Sequence, residues 1–256
     1  MSDDTLLQVS TSRGVTTLTL DSPANRNALS RAMRARLRTA LADALADDAV
    51  RVVVFDHTGR VFCSGMDLTE AVGGAAGDQG VRELPELLET VWRFPKPVVA
   101  VLRGPARAGG VGLAAACDVV VAAASATFAF SEVRLGIVPA VISAVVLPRM
   151  VPHLAHRLML TGEVFDAATA TAGGLVDLCV PDDEVDAAVA AQTAALAAGA
   201  PAALAETKRL LRAGGLRGSF DGLLELSARF FASEEGQEGI AAFREKRPAR
   251  WVPAAD

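Results

Sequence analysis

Short apolar runs rich in β-branched residues alternate with helical segments along most of this chain. Val50–Phe55, Val98–Leu102 and Val119–Ala123 are five or six residues long, and each holds at most one charged residue. Such runs are typical of strands buried on both faces of a sheet. Ser30 is placed as the N-cap of a helix with apolar residues at helical spacing: Met33, Leu37, Leu41 and Leu45. This alternation predicts an α/β core.

The same patterns place further elements and divide the chain into two regions. The additional predicted strands are Leu6–Ser10, Val15–Leu20, Thr127–Phe130 and Leu178–Val180, and the additional helices include Val81–Arg93 and Val111–Ala116. Ala71–Gly80 contains four glycines and predicts a surface loop. After about Ala187 the pattern is helical only. We therefore expect a core over residues 1–195 and a C-terminal helical region over residues 196–256.

Composition and charge exclude several classes of protein. The chain has 256 residues, of which 51% are hydrophobic and 21% charged, as in globular proteins. Its net charge is -5 and it lacks a dense Lys/Arg run, so no nucleic-acid partner is expected. Met1–Gln8 is polar rather than a secretory signal, and no apolar run is long enough to span a membrane. The three cysteines form no CxxC pair, which favours a reducing, cytoplasmic location and no metal site.

Two segments that follow predicted strands are candidates for ligand binding. They are Val61–Leu68 and Arg103–Leu113, and both are rich in glycine or small residues. Ligands of open α/β folds gather at the carboxyl ends of strands, and glycine lets the backbone approach a ligand closely. A helix that opens near Gly110 would direct free N–H groups toward an anion. Each segment alone is equally well interpreted as a tight turn, and neither completes a phosphate-binding motif.

Four segments together resemble a known family. Asp21–Ser30 (DSPANRNALS) is similar to an RPxxxNAL segment, Phe62–Leu68 (FCSGMDL) to FxxGxDL, Ala108–Asp118 to GGxxL…CD, and Phe128–Pro139 to FxxxExxxGxxP. With Phe243–Trp251, which resembles the end of a C-terminal helix, these segments cover nearly the whole chain in the order of the crotonase (enoyl-CoA hydratase/isomerase) superfamily. The resemblance is closest to bacterial enoyl-CoA and methylglutaconyl-CoA hydratases.

The resemblance implies a fold, a ligand and a set of site residues. It implies an α/β spiral of ββα turns, with residues 196–256 forming a helical trimerisation region, and a homotrimer or a dimer of trimers. The ligand is an acyl-CoA thioester that enters as substrate, and no cofactor is implied. The backbone N–H groups of Met66 and Gly109 would form an oxyanion hole, a device that stabilises enolates without a metal. The implied substrate-binding residues are Arg26, Cys63, Ser64, Gly65, Met66, Asp67, Leu68, Gly109, Gly110, Gly112 and Pro139.

Glu132 is the candidate acid/base. It follows an apolar strand, where partial desolvation would favour a protonated carboxyl suited to proton transfer; a solvated glutamate at a strand end is an equal interpretation of the local sequence. The resemblance favours catalysis. Hydratases of the superfamily usually carry a second glutamate at the position of Gly112. We expect a hydratase of fatty-acid or branched-chain amino-acid breakdown, with a 3-enoyl-CoA to 2-enoyl-CoA isomerase using Glu132 alone, or a non-catalytic acyl-CoA binder, as alternatives.

Other polar residues carry structural interpretations. Cys63 lacks a neighbouring base and is expected to be a buried, inert thiol rather than a nucleophile. His57 is expected to be solvated in a turn, and His153 and His156 to lie on a helix surface. Helix caps are expected at three places: Asp67, Asp166, and Asp182 or Asp183. Asp118 is expected to be structural.

Overall fold

The computed structural model describes residues 6–70, 83–212 and 227–253. The predicted loop Ala71–Gly80 lies outside these residues. The main sheet has six strands in the order β1-β2-β3-β4-β6-β9, and a second sheet has three strands in the order β5-β7-β8. The strands are β1 (Leu7–Ser12), β2 (Val15–Leu20), β3 (Val52–His57), β4 (Val98–Leu102), β5 (Ala106–Arg107), β6 (Val119–Ala123), β7 (Thr127–Ala129), β8 (Phe165–Asp166) and β9 (Leu178–Val180).

Helices connect these strands and cover the sheet. The α-helices are α1 (Arg31–Ala46), α2 (Glu83–Arg93), α3 (Gly109–Ala116), α4 (Ala140–Val146), α5 (Pro152–Thr161), α6 (Ala167–Ala172), α7 (Val185–Ala197), α8 (Pro201–Arg212) and α9 (Glu234–Glu245). Residues 227–232 are also helical, and short 3₁₀ turns cover Pro23–Asn25, Ser131–Leu135 and Asp182–Glu184. Strands β1 and β2 are antiparallel, whereas the other pairs of the main sheet are parallel. This confirms the predicted α/β class.

The central strands are buried on both faces, as their unbroken apolar runs predict. On β3, Val53 and Phe55 contact the larger core, which α1, α2 and α3 cover. Val52 and Val54 point the other way, into a smaller core closed by α7. The sheet therefore forms the middle layer between two helical layers, and the carboxyl ends of β3 and β4 open toward α3.

The start of α1 is as predicted, but its buried face is shifted. The Ser30 hydroxyl accepts a hydrogen bond from the Met33 N–H at 3.2 Å. Met33, Leu37 and Leu41 are fully buried, whereas Leu45 is 46% exposed. Ala44 is buried at 4% exposure in place of Leu45, so the last turn presents the preceding residue to the core. Arg34 lies on the buried face instead.

Several polar residues differ from the sequence-based expectations. His57 is buried at the end of β3, where its Nε2 accepts the Arg103 N–H at 3.1 Å; the solvated turn was wrong because the chain continues as strand past Phe55. Asp67 accepts the Thr69 N–H at 3.0 Å in a turn rather than capping a helix. Asp182 accepts hydrogen bonds from Ser125 instead of from a helix start.

The described C-terminal residues fold back on the core. Arg51 donates to the carbonyl oxygens of Trp251 and Gly199, and the Trp251 indole donates to Ala198. Within the described ranges no single helix has the length and apolarity to cross a membrane. The pair Asp182–Ala197 and Pro201–Arg212 reaches both only together and is bent by 104°. The two-region division at residue 195 stays a prediction.

Candidate active site

The two glycine-rich segments contact each other at the carboxyl ends of β3 and β4. Phe62 N–H donates to the Pro105 carbonyl at 3.0 Å, and Arg107 N–H donates to the Cys63 carbonyl at 2.9 Å. A β-carbon on Gly110 would lie 2.4 Å from the Cys63 carbonyl oxygen. Only glycine at position 110 therefore lets α3 approach the first segment this closely.

The backbone nitrogens of Met66 and Gly109 lie close to each other at this contact. Gly65 has a φ of +94°, and a β-carbon there would lie 3.1 Å from the Gly109 nitrogen. A β-carbon on Gly109 would lie 3.5 Å from the Met66 nitrogen. Gly109 is the first residue of α3, so its N–H has no acceptor within the helix. Neither the Met66 nor the Gly109 N–H donates to an acceptor among the described residues. Both N–H groups are therefore unpaired within the described part of the chain.

Beside these donors lies a cavity of about 370 Å³. Its wall is mainly apolar, and the polar side chains are those of Ser64, Asp67, Ser131 and Glu132. Gly109, at the N-terminal end of α3, also lines the cavity. The apolar side chains are those of Met66, Leu68, Leu84, Ala108, Leu135, Ile137, Val138, Pro139, Val141 and Ile142. This size and composition suit a small acyl group held by a few polar contacts.

Glu132 is the buried carboxyl of the cavity. It follows β7 as the second residue of the 3₁₀ turn Ser131–Leu135 and is only 6% exposed. Its Oε2 is buried without a hydrogen-bond partner among the described residues. Burial raises the pKa of Glu132 above the ordinary value of 4.5 because desolvation disfavours the charged form. A carboxyl with one unpartnered oxygen and a raised pKa is suited to accept and return a proton.

Ile142 occupies the space in front of Gly112. A β-carbon on Gly112 would lie 2.5 Å from Ile142 Cγ2, and Leu88 is the next neighbour at 3.4 Å. A β-branched side chain cannot move its γ-methyl far without leaving its rotamer. Position 112, where the superfamily that the sequence resembles usually carries a second glutamate, is therefore closed off by an apolar contact between α3 and α4.

The structure brings together most, but not all, of the predicted site residues. Those that line the cavity are Glu132, Ser64, Met66, Asp67, Leu68, Gly109 and Pro139. Cys63, Gly65, Gly110 and Gly112 lie behind its wall, where they set the packing of the two segments. Arg26 is exposed and does not line the cavity. It lies next to the cavity, because its carbonyl accepts the N–H of the lining residue Ser64 at 3.0 Å.

Several lining residues carry no sequence signal that points to a ligand. Leu84, Val141 and Ile142 look like ordinary core residues in the sequence, and only the packing of α2 and α4 against α3 turns them toward the cavity. Ala108 is also missed, because its backbone conformation, φ 47° and ψ −117°, is not encoded in its side chain. The lack of space for a side chain at position 112 could have been suspected only because glycine stands there in place of the usual glutamate.

The remaining candidates lie outside this chemistry. Cys63 is fully buried, and burial raises the pKa of its thiol to about 12, so it is a poor nucleophile near neutral pH. His153 and His156 lie on the exposed side of α5. The described ranges contain no group of three His, Cys, Asp or Glu residues arranged to hold a metal ion.

Named proteins match this chain, in sequence or in structure, along nearly their whole length. The family model described as enoyl-CoA hydratase/isomerase matches residues 10–253. The 2,3-dehydroadipyl-CoA hydratase of Escherichia coli is 34% identical over 94% of this chain and 96% of its own. AtuE of Pseudomonas aeruginosa superposes with a TM-score of 0.91 at 36% identity, covering 96% of this chain and 99% of its own. An enoyl-CoA hydratase from Shewanella pealeana superposes with a TM-score of 0.89 at 32% identity, covering 96% of both chains.

These matches confirm the resemblance that the four sequence segments indicate, and with it the α/β fold with mixed sheets and C-terminal helices. Because both the family model and relatives above 30% identity extend over almost the entire chain, the assignment does not depend on one motif. The chain belongs to the enoyl-CoA hydratase/isomerase family, within the crotonase superfamily.

Proposed function

We propose that the protein adds water to the double bond of a 2-enoyl-CoA thioester, with Glu132 as its acid/base. The observation that carries the proposal is the buried Glu132 Oε2, which has no partner among the described residues and lines the same cavity as two free backbone donors. A group whose hydrogen-bonding capacity is unused in an apolar wall is costly to bury unless a ligand uses it.

The proposed reaction needs one carboxylate and two N–H groups. The thioester oxygen accepts hydrogen bonds from Met66 and Gly109. Glu132, ionised, takes a proton from water while the water oxygen bonds to the β-carbon, and the electrons of the double bond pass to the thioester oxygen as an enolate. The protonated Glu132 then returns the proton to the α-carbon. Each oxyanion donor is worth roughly 2.7–4 kcal/mol in such sites.

The names of the relatives support hydration over other reactions of the family. The E. coli and S. pealeana proteins are both named as hydratases. One carboxylate is sufficient for this outcome because the proton removed from water and the proton delivered to the α-carbon can be the same. The raised pKa of Glu132 makes its carboxylate a stronger base for the first of these steps.

A second candidate is the isomerisation of a 3-enoyl-CoA to a 2-enoyl-CoA. The observation that favours it is the Ile142 side chain in front of Gly112, which leaves no space for a second carboxylate to hold water. In this reaction Glu132 would remove a proton from the α-carbon and return it to the γ-carbon. The same donors would stabilise the same enolate.

One assay separates the two reactions. Purified protein is given a 2-enoyl-CoA and, separately, a 3-enoyl-CoA, each with short, long and branched acyl groups, and the conjugated-thioester absorbance is followed. Hydration lowers the absorbance of the first substrate, whereas isomerisation raises that of the second. We expect hydration of a short or branched substrate. If no 2-enoyl-CoA loses absorbance but a 3-enoyl-CoA is converted, the protein is an isomerase and the proposal is wrong. If neither substrate class is converted, the protein is a non-catalytic acyl-CoA binder.

The missing glutamate can be tested in the same assay only with a paired substitution. Glu at position 112 would overlap Ile142, so Gly112→Glu alone perturbs packing. Gly112→Glu with Ile142→Ala removes the overlap, and Ile142→Ala alone is the matched control. We expect the pair to change hydration by less than about tenfold relative to that control, roughly 1.4 kcal/mol of barrier. Hydration that appears only in the paired variant would contradict the proposed one-carboxylate reaction.

We also propose the biological setting that the family resemblance implies. The protein would act in the cytoplasm, in fatty-acid or branched-chain amino-acid breakdown, as a homotrimer or a dimer of trimers. Phe231 and Phe243 support self-association, since they are 66% and 86% exposed on the C-terminal helices. Sedimentation equilibrium of the purified protein tests the oligomeric state.

A further inference from the structure

Arg34 is the one charged residue of α1 that the structure buries completely. Its relative exposure is 0%, whereas the other buried residues of this helix are Met33, Leu37, Ala40, Leu41 and Ala44. A methionine or leucine would pack on this face without the cost of removing a guanidinium from water. The contacts of Arg34 therefore have to account for its presence.

One set of contacts leads to the segment that carries the Met66 donor. Arg34 Nη1 donates to the Leu29 carbonyl and lies 3.7 Å from Met66 Sδ. Leu29 in turn donates its N–H to the Gly65 carbonyl at 2.8 Å and pairs with Met66 in a parallel bridge. Arg34 thus holds both the backbone strip beside Met66 and the Met66 side chain.

A second set of contacts leads to the wall beside the Gly109 donor. Arg34 Nη2 and Nε donate to Glu83 Oε2 at 2.8 and 3.1 Å. Hydrogen bonding from Arg34 holds the pKa of Glu83 below its ordinary value, so this carboxylate remains ionised. The next residue, Leu84, lines the cavity and would lie 3.5 Å from a β-carbon on Gly109.

We propose that Arg34 is a positioning residue of the active site, which fixes the Met66 N–H relative to the Gly109 N–H by bridging the Leu29 carbonyl and Glu83. It does not touch the cavity and is not a catalytic residue. The inference rests on the proposed function, because it requires that these two donors bind the thioester oxygen.

The shape of the guanidinium explains why arginine serves here. Its planar fork directs Nη1 at a carbonyl and Nε with Nη2 at a carboxylate at the same time. A lysine ammonium is a single point that cannot reach both acceptors in that geometry. Oxyanion stabilisation depends strongly on donor placement, since a displacement of about 1 Å can cost roughly 10²-fold in rate.

The test compares Arg34→Met and Arg34→Lys with Arg38→Met. Arg38 lies one turn further along α1 and makes the same type of ion pair, to Glu86 at 3.5 Å, but has no contact with Leu29 or Met66. Three quantities are measured in the full-length protein: kcat and KM for hydration per folded molecule, thermal stability, and the fraction of bound acetoacetyl-CoA present as enolate, from its ultraviolet spectrum.

We expect Arg34→Met to lower kcat and the enolate fraction about tenfold or more while KM changes less than about threefold. Arg34→Lys is expected to lie closer to the methionine variant than to wild type, and Arg38→Met to match wild type. A purely structural arginine would shift thermal stability and leave kcat per folded molecule and the enolate fraction within about twofold, which would overturn the inference. If Arg34→Met does not fold, Arg34→Lys and Glu83→Gln are judged by the same criteria.

Failure of the inference can be told apart from failure of the proposed function. Wild-type protein that binds acetoacetyl-CoA without forming enolate, and hydrates no 2-enoyl-CoA, contradicts the proposed function and the inference with it. Wild-type protein that does both, with an Arg34→Met variant that does so equally well, contradicts only the role of Arg34.

Discussion

Ala108 has a backbone conformation that L-residues rarely adopt, at the point where the chain enters α3. Its φ of 47° and ψ of −117° lie outside the regions allowed for residues with a β-carbon. In this conformation the Ala108 N–H donates to the Ala129 carbonyl at 3.0 Å, and the next residue, Gly109, lines the cavity. Strain of this kind is roughly 1–3 kcal/mol and is concentrated at functional sites.

The strain predicts that Ala108→Gly stabilises the protein. Relief of roughly 1–3 kcal/mol outweighs the roughly 0.4–1 kcal/mol lost through the greater freedom of glycine in the unfolded chain. We expect the free energy of unfolding, measured in urea, to rise by about 1 kcal/mol. Ala106→Gly is the control, since Ala106 is buried without a positive φ and should lose stability. Equal losses in both variants would show that Ala108 is not strained.

Glu132 predicts the acidic limb of the pH–rate profile. The base form is needed for hydration, and burial raises its pKa above 4.5, so kcat/KM should increase with pH through a midpoint above that value. The profile is measured with a 2-enoyl-CoA between about pH 4.5 and pH 9. Glu89→Gln, an exposed carboxyl on α2, should keep the same midpoint. A midpoint at or below 4.5 would assign the limb to a solvated group.

At the scale of elements, sequence patterns predict what local physics determines. The buried runs of β4 and β6 match their predicted ranges because continuous apolar, β-branched residues favour buried strands, and the half-buried β9 also matches its predicted range. The two-residue strands β5 and β8 leave no such pattern, since only their tertiary pairing defines them. Asp166 caps α6 by accepting the Thr169 N–H at 2.8 Å, as predicted. Asp182 does not cap a helix, because its carboxylate accepts hydrogen bonds from Ser125, which lies in another segment.

The site divides in the same way. The segments containing Glu132 and Gly109 could be found because family motifs mark them. Arg34 could not, since α1 carries arginines at 31, 34, 36 and 38, and nothing local separates the buried one from its neighbours. Its role depends on Leu29 and Glu83, and sequence periodicity alone does not show that these residues meet.

The junction of β3 and β4 predicts a loss of stability at mildly acidic pH. His57 is buried, and burial lowers its pKa below the ordinary 6.5; its Nε2 accepts the Arg103 N–H. The unfolded chain binds the proton first, so the stabilisation from neutral His57 is present above pH 6.5 and lost as pH falls toward the folded pKa. The urea concentration at the midpoint of unfolding should decrease as the pH is lowered across this range. The slope should decrease in His57→Asn; an unchanged slope would assign it to other groups.

At the scale of the whole molecule, Asp118 joins the C-terminal helices to the sheet. Its carboxylate contacts Lys208 at 2.6 Å and Arg212 at 2.7 Å, both on α8, and accepts the Val98 N–H at 2.7 Å. Arg212 also lies 3.9 Å from the ring centre of Trp92. These contacts confirm that Asp118 is structural, and they cover the end of α3 opposite the cavity.

This arrangement predicts a large effect of Asp118→Asn. Lys208 and Arg212 would lose a charged partner while their side chains remain only 11% and 15% exposed, which typically costs about 3–5 kcal/mol. Asp186→Asn is the control, because Asp186 is 85% exposed in its ion pair with Arg103 and should cost at most about 1 kcal/mol. The free energies of unfolding are compared in urea. Similar small losses would show that α8 is held by its apolar contacts.

The central claim is that Glu132 performs the chemistry on a thioester held by the two backbone donors. The most direct measurement is turnover of a 2-enoyl-CoA by wild type and by Glu132→Gln, with CoA binding measured by calorimetry on the same samples. Glutamine keeps the size of the side chain but can neither accept a proton from water nor return one, so we expect turnover to fall about 10²-fold or more while the dissociation constant for CoA changes less than about threefold. Near-wild-type turnover in a folded, CoA-binding Glu132→Gln variant would contradict the account.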